Sequence, residues 1–599
     1  MRLRPEDRFL TGEQASSLRQ VRRYAVPRGM IERSAERRLA GDWRGALSAA
    51  GVDVDLDPAE VASAYGTAVA QALVADLLHL VPDLVRWHLP RVLGGRSTLT
   101  PGRTVVLAGY AGYAGYAGYA GYADDGADGG AGLPHAPYLH LRTPPMVEGP
   151  QRLSLRFGAV PGESSPGLFL AGTEDWRSVR YLWDSRRTDG LRTAVGAGGR
   201  IPFFHDDGTP LTRQELGAPG DGDAAARAER VTLLHENGEV AESFEAAGIE
   251  WDPTPPASER SMYRTDPGEV LRATPMDIPR LEAAVRRATA TVGRERFLAA
   301  GHWRRHIQLE LTDHSAGGRL RATVVDARST APTAFLPEAA WRRLPDLDLL
   351  RAGVVPPQWL HPLVARALFP SLEGPFGPPG PSLPRTVRVR CRGEWHEVVF
   401  RDGVLRSPHT EEERLRESAM RAFGGAVAGC FAVEHSSTTG EGRLPKALRA
   451  QRKELFLHIQ HGNTAGVLEL LDAGVDLRVR NARRRGLLHV LPLLDHEALL
   501  PRLLAAGLDL EAGDHLGRTP LSVAVSERGP ASLVRALIDA GARIDVKDSE
   551  GLSLDQLIHR YKREDLAFLR ERLSTEHPGI GADWYERWFR NKDGEDEQQ

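Results

Sequence analysis

The sequence predicts a multidomain protein in which an α+β amino-terminal region precedes a carboxy-terminal α-solenoid. Three observations carry that prediction. The chain has 599 residues, whereas a single hydrophobic core stops growing near roughly 250–300 residues, so several domains are required. Stretches of period-two alternation are interspersed with helical patterns up to about residue 440, a mixture that suits an α+β arrangement. Beyond Leu444 a leucine-rich string recurs every 33 or 34 residues, and a period of that length marks stacked supersecondary units.

The elements follow in chain order. Residues 1–100 form a helical domain, with Val26, Met30, Ile31, Ala35 and Leu39 supplying one apolar face. The arginines of this segment are spaced around its helices and read as a solvated face. Residues 101–252 form a mixed α/β region. Within it, five Gly-Tyr-Ala triplets from Gly109 to Ala123 lead into an acidic, glycine-rich stretch. Glycine at every third place cannot sustain a packed helix or strand, so 109–132 is expected to be a disordered insertion. A Pro/Ser/Thr-rich linker at 253–267 precedes an α+β domain at 268–440. There, Ile278 to Ala300 reads as one amphipathic helix. Ile307–Leu311 with Leu320–Val325, and Thr386–Cys391 with Trp395–Arg401, read as hairpins.

Composition narrows the function classes. Hydrophobic residues make up 41% and charged residues 26% of the chain, values typical of globular domains. The 77 basic and 80 acidic residues leave a net charge of −3, so no global field draws the chain to nucleic acid or to an anionic membrane. Lysine supplies five of the basic residues, and this arginine bias suggests a bacterial source with GC-rich coding. The charged start lacks the apolar core of a secretory signal, and Thr67–Val85 is interrupted by Asp76, His79, Pro82 and Asp83. A cytoplasmic location without membrane contact is expected. Cys391 and Cys430 lie in different segments with no second-ligand spacing, so neither a disulfide framework nor a zinc cluster is expected of them.

The repeat carries the functional reading. Leu470-Leu471-Asp472-Ala473-Gly474, Leu503-Leu504-Ala505-Ala506-Gly507 and Leu537-Ile538-Asp539-Ala540-Gly541 are near copies, each a helix end turned by glycine. The fullest unit is Asp514-His515-Leu516-Gly517-Arg518-Thr519-Pro520-Leu521. Gly517 permits a tight turn, Thr519 caps a helix, Pro520 sits where a missing amide costs nothing, and Leu521 faces the neighbouring unit. These residues resemble the ankyrin repeat over 447–573. The flanking copies depart from it: Arg484-Arg485-Gly486 loses the turn glycine and the Thr-Pro, and Gly551-Leu552-Ser553 has Ser for Thr. Terminal units face water, so such departures are expected of caps. The wider chain resembles uncharacterised actinobacterial ankyrin repeat proteins.

The resemblance implies a non-catalytic adaptor or regulator that holds a protein partner by its fingers and concave face. Carried onto this chain, the contact residues are Arg478, Arg480, Arg483, Arg484 and Arg485 on one finger, and Asp509, Glu511, Asp514 and His515 on the next. Residues 574–599 form a tail in which Trp584, Tyr585, Trp588 and Phe589 are spaced to cover the last repeat. No catalytic, cofactor or metal residue is expected. His302 and His306 lack a zincin glutamate, and His205-Asp206-Asp207 reads as a turn. Gly162–Gly167 has the wrong spacing for a nucleophile elbow, and Gly196, Gly198 and Gly199 do not form a dinucleotide fingerprint. The alternative is an unrecognised hydrolase or nuclease in residues 1–440 that the repeats deliver to its target.

Overall fold

The computed structural model describes residues 10–112, 136–161, 163–165, 168–169, 172–196, 198–216, 223–256, 266–301, 305–312, 318–327, 333–401, 404–425, 428–439 and 444–580. Most of the Gly-Tyr-Ala tract, His302 and the aromatic tail residues lie outside them. The chain divides into two compact units, one of residues 1–147 and 152–379, the other of 148–151 and 380–599. It is therefore multidomain and α+β. Among the described residues, no helix is long and apolar enough to cross a membrane.

In the first unit one continuous cluster of buried apolar side chains runs from Leu18 to Phe369. The segments 1–100, 101–252 and 268–379, read from the sequence as separate domains, share this core. The helices Arg28–Leu39, Thr67–His79 and Pro82–His88 contribute to it together with a five-stranded sheet. That sheet is ordered Val52–Asp55, Leu153–Gly158, Tyr138–Arg142, Thr104–Gly109, Thr173–Asp175. Leu141 faces Val105 across an antiparallel pair, while Val52 pairs with Leu153 in parallel. Val105, Leu107 and Leu141 enter the large cluster, whereas Val106 and Tyr138 join a smaller one with Phe169. Both faces of Thr104–Gly109 are covered, which explains why its apolar residues run on, whereas Val52–Asp55 and the start of Leu153–Gly158 alternate between buried and more exposed positions.

The tyrosine-rich tract begins inside this sheet. Gly109 pairs with Tyr138, and Tyr110 is buried, its hydroxyl donating to Asp76 at 3.0 Å. The first triplet was expected in a disordered insertion; the burial of Tyr110 against Phe157 draws it into the fold.

A second sheet, ordered Ala334–Phe335, Arg296–Ala300, Arg305–Leu311, Leu320–Asp326, Glu250–Asp252, supports the helix Leu281–Val292. Ile307 faces Val324 and Leu311 faces Leu320, the expected hairpin. The single helix expected over 278–300 is corrected here. Gly293 turns the chain in a left-handed conformation, and Arg296–Ala300 continues as a strand. The unit is also tied by buried charge. Asp346, fully buried, accepts from Arg22 Nε at 2.8 Å and Nη2 at 2.7 Å, and the Arg22 guanidinium lies over the Trp87 ring at 4.5 Å.

In the second unit the strands Val387–Cys391, Glu394–Arg401 and Val404–Arg406 form a small antiparallel sheet. Arg392 and Gly393 both adopt positive φ, the conformation of a two-residue hairpin turn. Four helix pairs follow: Lys446–Gln460 with Thr464–Asp472, Leu487–Leu493 with His496–Ala505, Pro520–Ser526 with Ala531–Asp539, and Leu554–Arg560 with Ala567–Glu576. Leu487–Leu493 winds as a tighter 3₁₀ helix, and Pro492 lies within it. One apolar cluster extends through all four pairs, from Leu455 to Leu573. Gly474, Gly507 and Gly541 close the second helices of the first three pairs with φ between 70° and 99°.

Candidate functional site

Between successive helix pairs the chain makes three equivalent turns. In the central one, Asp514 Oδ1 accepts the Leu516 and Arg518 amides at 2.8 and 3.1 Å, and Asp514 N–H donates to the Arg518 carbonyl. Asp548 repeats the pattern with Glu550 and Leu552, and Asn481 repeats it with Arg483 and Arg485. A short carboxylate or amide side chain is needed at the first position because it satisfies two amides that the reversal leaves unpaired. The turns are also joined to one another. His515 N–H donates to the Arg483 carbonyl, and Ser549 N–H donates to the Leu516 carbonyl, both at 2.9 Å.

The fourth residue of each turn has positive φ: Gly517 at 66°, Gly551 at 80° and, in the first turn, Arg484 at 58°. Glycine adopts this conformation without steric cost, whereas an L-residue with a side chain costs about 1–2 kcal/mol there. Thr519 Oγ1 accepts the Ser522 amide at 3.3 Å, Pro520 opens the helix, and Leu521 is fully buried.

The nine finger residues named from the sequence separate into two groups. Arg478, Arg483, Arg484, Asp509 and His515 are exposed, while Arg480 and Glu511 are partly so. Arg483 pairs with Glu148, and Glu511 accepts the Arg543 amide. Arg478 and Arg484 form no ion pair among the described residues. Arg485 and Asp514, by contrast, are buried. Arg485 Nε donates to Asp514 Oδ2 at 3.2 Å, and its Nη2 meets Glu527 Oε1 at 2.6 Å. Burial alone would raise the Asp514 carboxyl, but the Arg518 guanidinium and the turn amides hold it below its ordinary range. Burial pushes Glu527 up against the opposing effect of Arg485. These two residues are not exposed as expected of finger residues: the long Arg485 side chain, one residue after the tip, turns back under the finger, and Asp514 is drawn in by the amides of its own turn.

A second concave feature lies within the first unit. A cavity of about 210 Å³ is lined by residues that include Arg22, His88, Arg91, Arg103, Glu174 and Arg342. Burial, reinforced by Glu338, raises the Glu174 carboxyl to about 7. Burial and then the Arg22 charge push His88 well below its ordinary value, which leaves the imidazole neutral at pH 7. Nothing in the residue spacing announced this cavity, because its charged groups come from five separate stretches of chain.

Of the metal candidates weighed from the sequence, His302 lies outside the described residues. His205 is half exposed near Glu215 at 3.4 Å, and His306 stacks edge-on to Phe335. The reading of the cysteines is overturned. Cys391 and Cys430 meet, together with His396 and His409, with one ligand atom from each residue lying within 4.8 Å of all the others. The hairpin and the helix Gly429–Thr439 bring together residues that sequence separation had set apart.

No curated protein matches this chain. A family model described as "Ankyrin repeat" matches residues 516–549, which begin in the central turn and run through Pro520–Ser526 and Ala531–Asp539 to the next turn. The chain therefore carries an ankyrin repeat near its carboxyl end, a unit associated in general with binding other proteins.

Proposed function

We propose that the four helix pairs act together as an ankyrin solenoid, and that the first finger, with Arg478 and Arg484 at its exposed edge, holds an acidic surface of a protein partner in a bacterial cytoplasm. The protein is then an adaptor or regulator. One observation carries this reading: Arg484 occupies a left-handed backbone position that the two sister turns give to glycine. Strain retained at an exposed, unpaired cation points to a use for that cation, because stability alone would favour glycine. Neighbouring patches of opposite charge, with Asp509 on the next finger, would orient the partner.

Arg484→Gly tests this with two readouts. The variant is expected to gain roughly 0.5–1 kcal/mol in urea unfolding by release of strain. Partner recovery, with the full chain as bait and quantified against wild type, is expected to fall about tenfold, a loss typical of an arginine anchor. Stabilisation with undiminished recovery would remove Arg484 from the contact surface. Arg478→Glu is the matching control for charge without backbone relief.

A second reading is favoured by Glu174. A carboxyl titrating near neutrality beside cationic side chains in a cavity is suited to general acid–base work on a small anion. In that case the first unit is the enzyme, a hydrolase or nuclease, and the repeats deliver it. The raised value has a sign that can be checked. A carboxyl raised in the folded state stabilises fully below its unfolded value of about 4.5, and that contribution is lost as pH rises through about 7. Glu174→Gln should therefore flatten the decline in stability between those values and leave the variant more stable at pH 8 by roughly 1–3 kcal/mol. A decline as steep as wild type would show that Glu174 is not the buried titrating group.

A further inference from the structure

The hairpin of the second unit has a core too small to hold itself. Its buried apolar cluster comprises Val387, Val389, Cys391, Val398, Leu405, Cys430, Val433, Leu444 and Leu448. Modules of that size usually need a covalent or metal staple. Two thiols and two imidazoles gather at this cluster, placed by three local devices. Val389 pairs with His396 and Cys391 with Glu394, so Cys391 and His396 stand diagonally on one face of the hairpin. His409 precedes Thr410, which caps the helix Glu411–Ala422 in a reciprocal box with Glu413. Cys430 is the second residue of Gly429–Thr439, where Gly429 lies so close to Cys391 that a Cβ would meet its Sγ at 2.5 Å. Only glycine lets the helix start approach the strand this closely.

The resulting distances are those of a coordination shell. His396 Nδ1 and His409 Nε2 are 3.1 Å apart, Cys391 Sγ and His409 Nε2 3.5 Å, and Cys430 Sγ and His396 Nδ1 3.7 Å. A tetrahedral zinc ion with bonds of about 2.3 Å to sulfur and about 2.0–2.1 Å to nitrogen requires edges of about 3.3 Å between nitrogens and about 3.6 Å between nitrogen and sulfur. The outward nitrogen of His409, Nδ1, faces the Glu413 carboxylate at 3.4 Å. A proton held there leaves the Nε2 lone pair aimed into the cluster, the carboxylate–histidine arrangement that orients zinc ligands. Three of the four ligands are buried and His396 is partly exposed.

We propose that Cys391, His396, His409 and Cys430 form a structural zinc site that joins the hairpin to the start of the helical region. Two soft thiolates with two imidazoles in a tetrahedron select zinc over hard cations. Four protein ligands leave no open position, so the ion is structural and not catalytic. Its consequence reaches the repeats through Lys446–Gln460. Leu448 of that helix belongs to the hairpin core, while its Leu455 and Ile459 belong to the core of the helix pairs. The zinc module thereby serves as the cap that the leading helix pair of a stack requires.

Elemental analysis of the full-length, tag-free chain, purified under reducing conditions, tests the proposal. About one zinc per chain is expected. After chelation, cobalt(II) should restore a spectrum with tetrahedral d–d bands and thiolate charge-transfer bands. Cys430→Ser should lower zinc content to below about a tenth per chain. A wild-type chain that holds neither ion, or whose Cys391 and Cys430 are joined as a disulfide, would overturn the assignment, as would undiminished zinc in Cys430→Ser.

Discussion

Arg485→Met is expected to lower the stability of the helical region by about 3–5 kcal/mol in urea unfolding, the cost of removing one partner from a buried ion pair. Arg485, Asp514 and Glu527 have side-chain exposures of 6%, 0% and 9%. Asp514 keeps Arg518 at 2.9 Å after the substitution, but Glu527 loses the cation that opposes its burial. The penalty therefore falls mainly on Glu527, which must either take up a proton or remain charged in an apolar setting. Arg485→Met combined with Glu527→Leu should recover much of the loss, since an apolar pair of similar volume can replace a buried ion pair at little cost. A single-variant loss below about 1 kcal/mol would mean that Arg485 is solvated, as its position in the sequence first suggests.

Asp346→Ala is expected to have a comparable effect, about 3–5 kcal/mol, on the first unit. The carboxylate accepts from Arg22 Nε and Nη2 and lies 3.2 Å from Trp87 Nε1. Its loss leaves a buried cation with one remaining acceptor, the Trp87 carbonyl at 2.8 Å. Because Arg22 stacks on Trp87, the change should also alter tryptophan emission in the folded state. Thermal unfolding that matches wild type, with unchanged emission, would contradict the assignment of this pair as the strut of the front core.

The helical region was legible because its information is local and recurrent. Asp514, Gly517, Thr519 and Pro520 each answer a requirement set within five residues, so spacing alone reveals the turn and the helix start. Arg485 was misread for the opposite reason. Its role depends on Glu527, 42 positions away, and a dense run of arginines gives no sign of which one turns inward. The metal cluster left a faint signal that spacing rules passed over: Cys391 ends the strand before a two-residue turn, His396 stands two residues into the pairing beyond it, and hairpin pairing puts them on one face. Cys430 and His409 add nothing recognisable until the strands are paired. The helix expected over 278–300 failed at Gly293, where a terminating glycine outweighs the apolar periodicity that continues beyond it.

The central claim is that the recurring turns belong to one stacked seam, and amide hydrogen exchange at the finger tips measures this directly. His515 and Ser549 sit on surface turns, yet their N–H groups are hydrogen-bonded to the Arg483 and Leu516 carbonyls of the preceding turns. In the intact chain both amides should exchange at least about a hundredfold more slowly than an exposed turn amide, which corresponds to local opening costs near 3 kcal/mol. Exchange of both at the unprotected rate, while the Pro520–Ser526 helix stays protected, would show that the turns do not join and that the helix pairs do not stack.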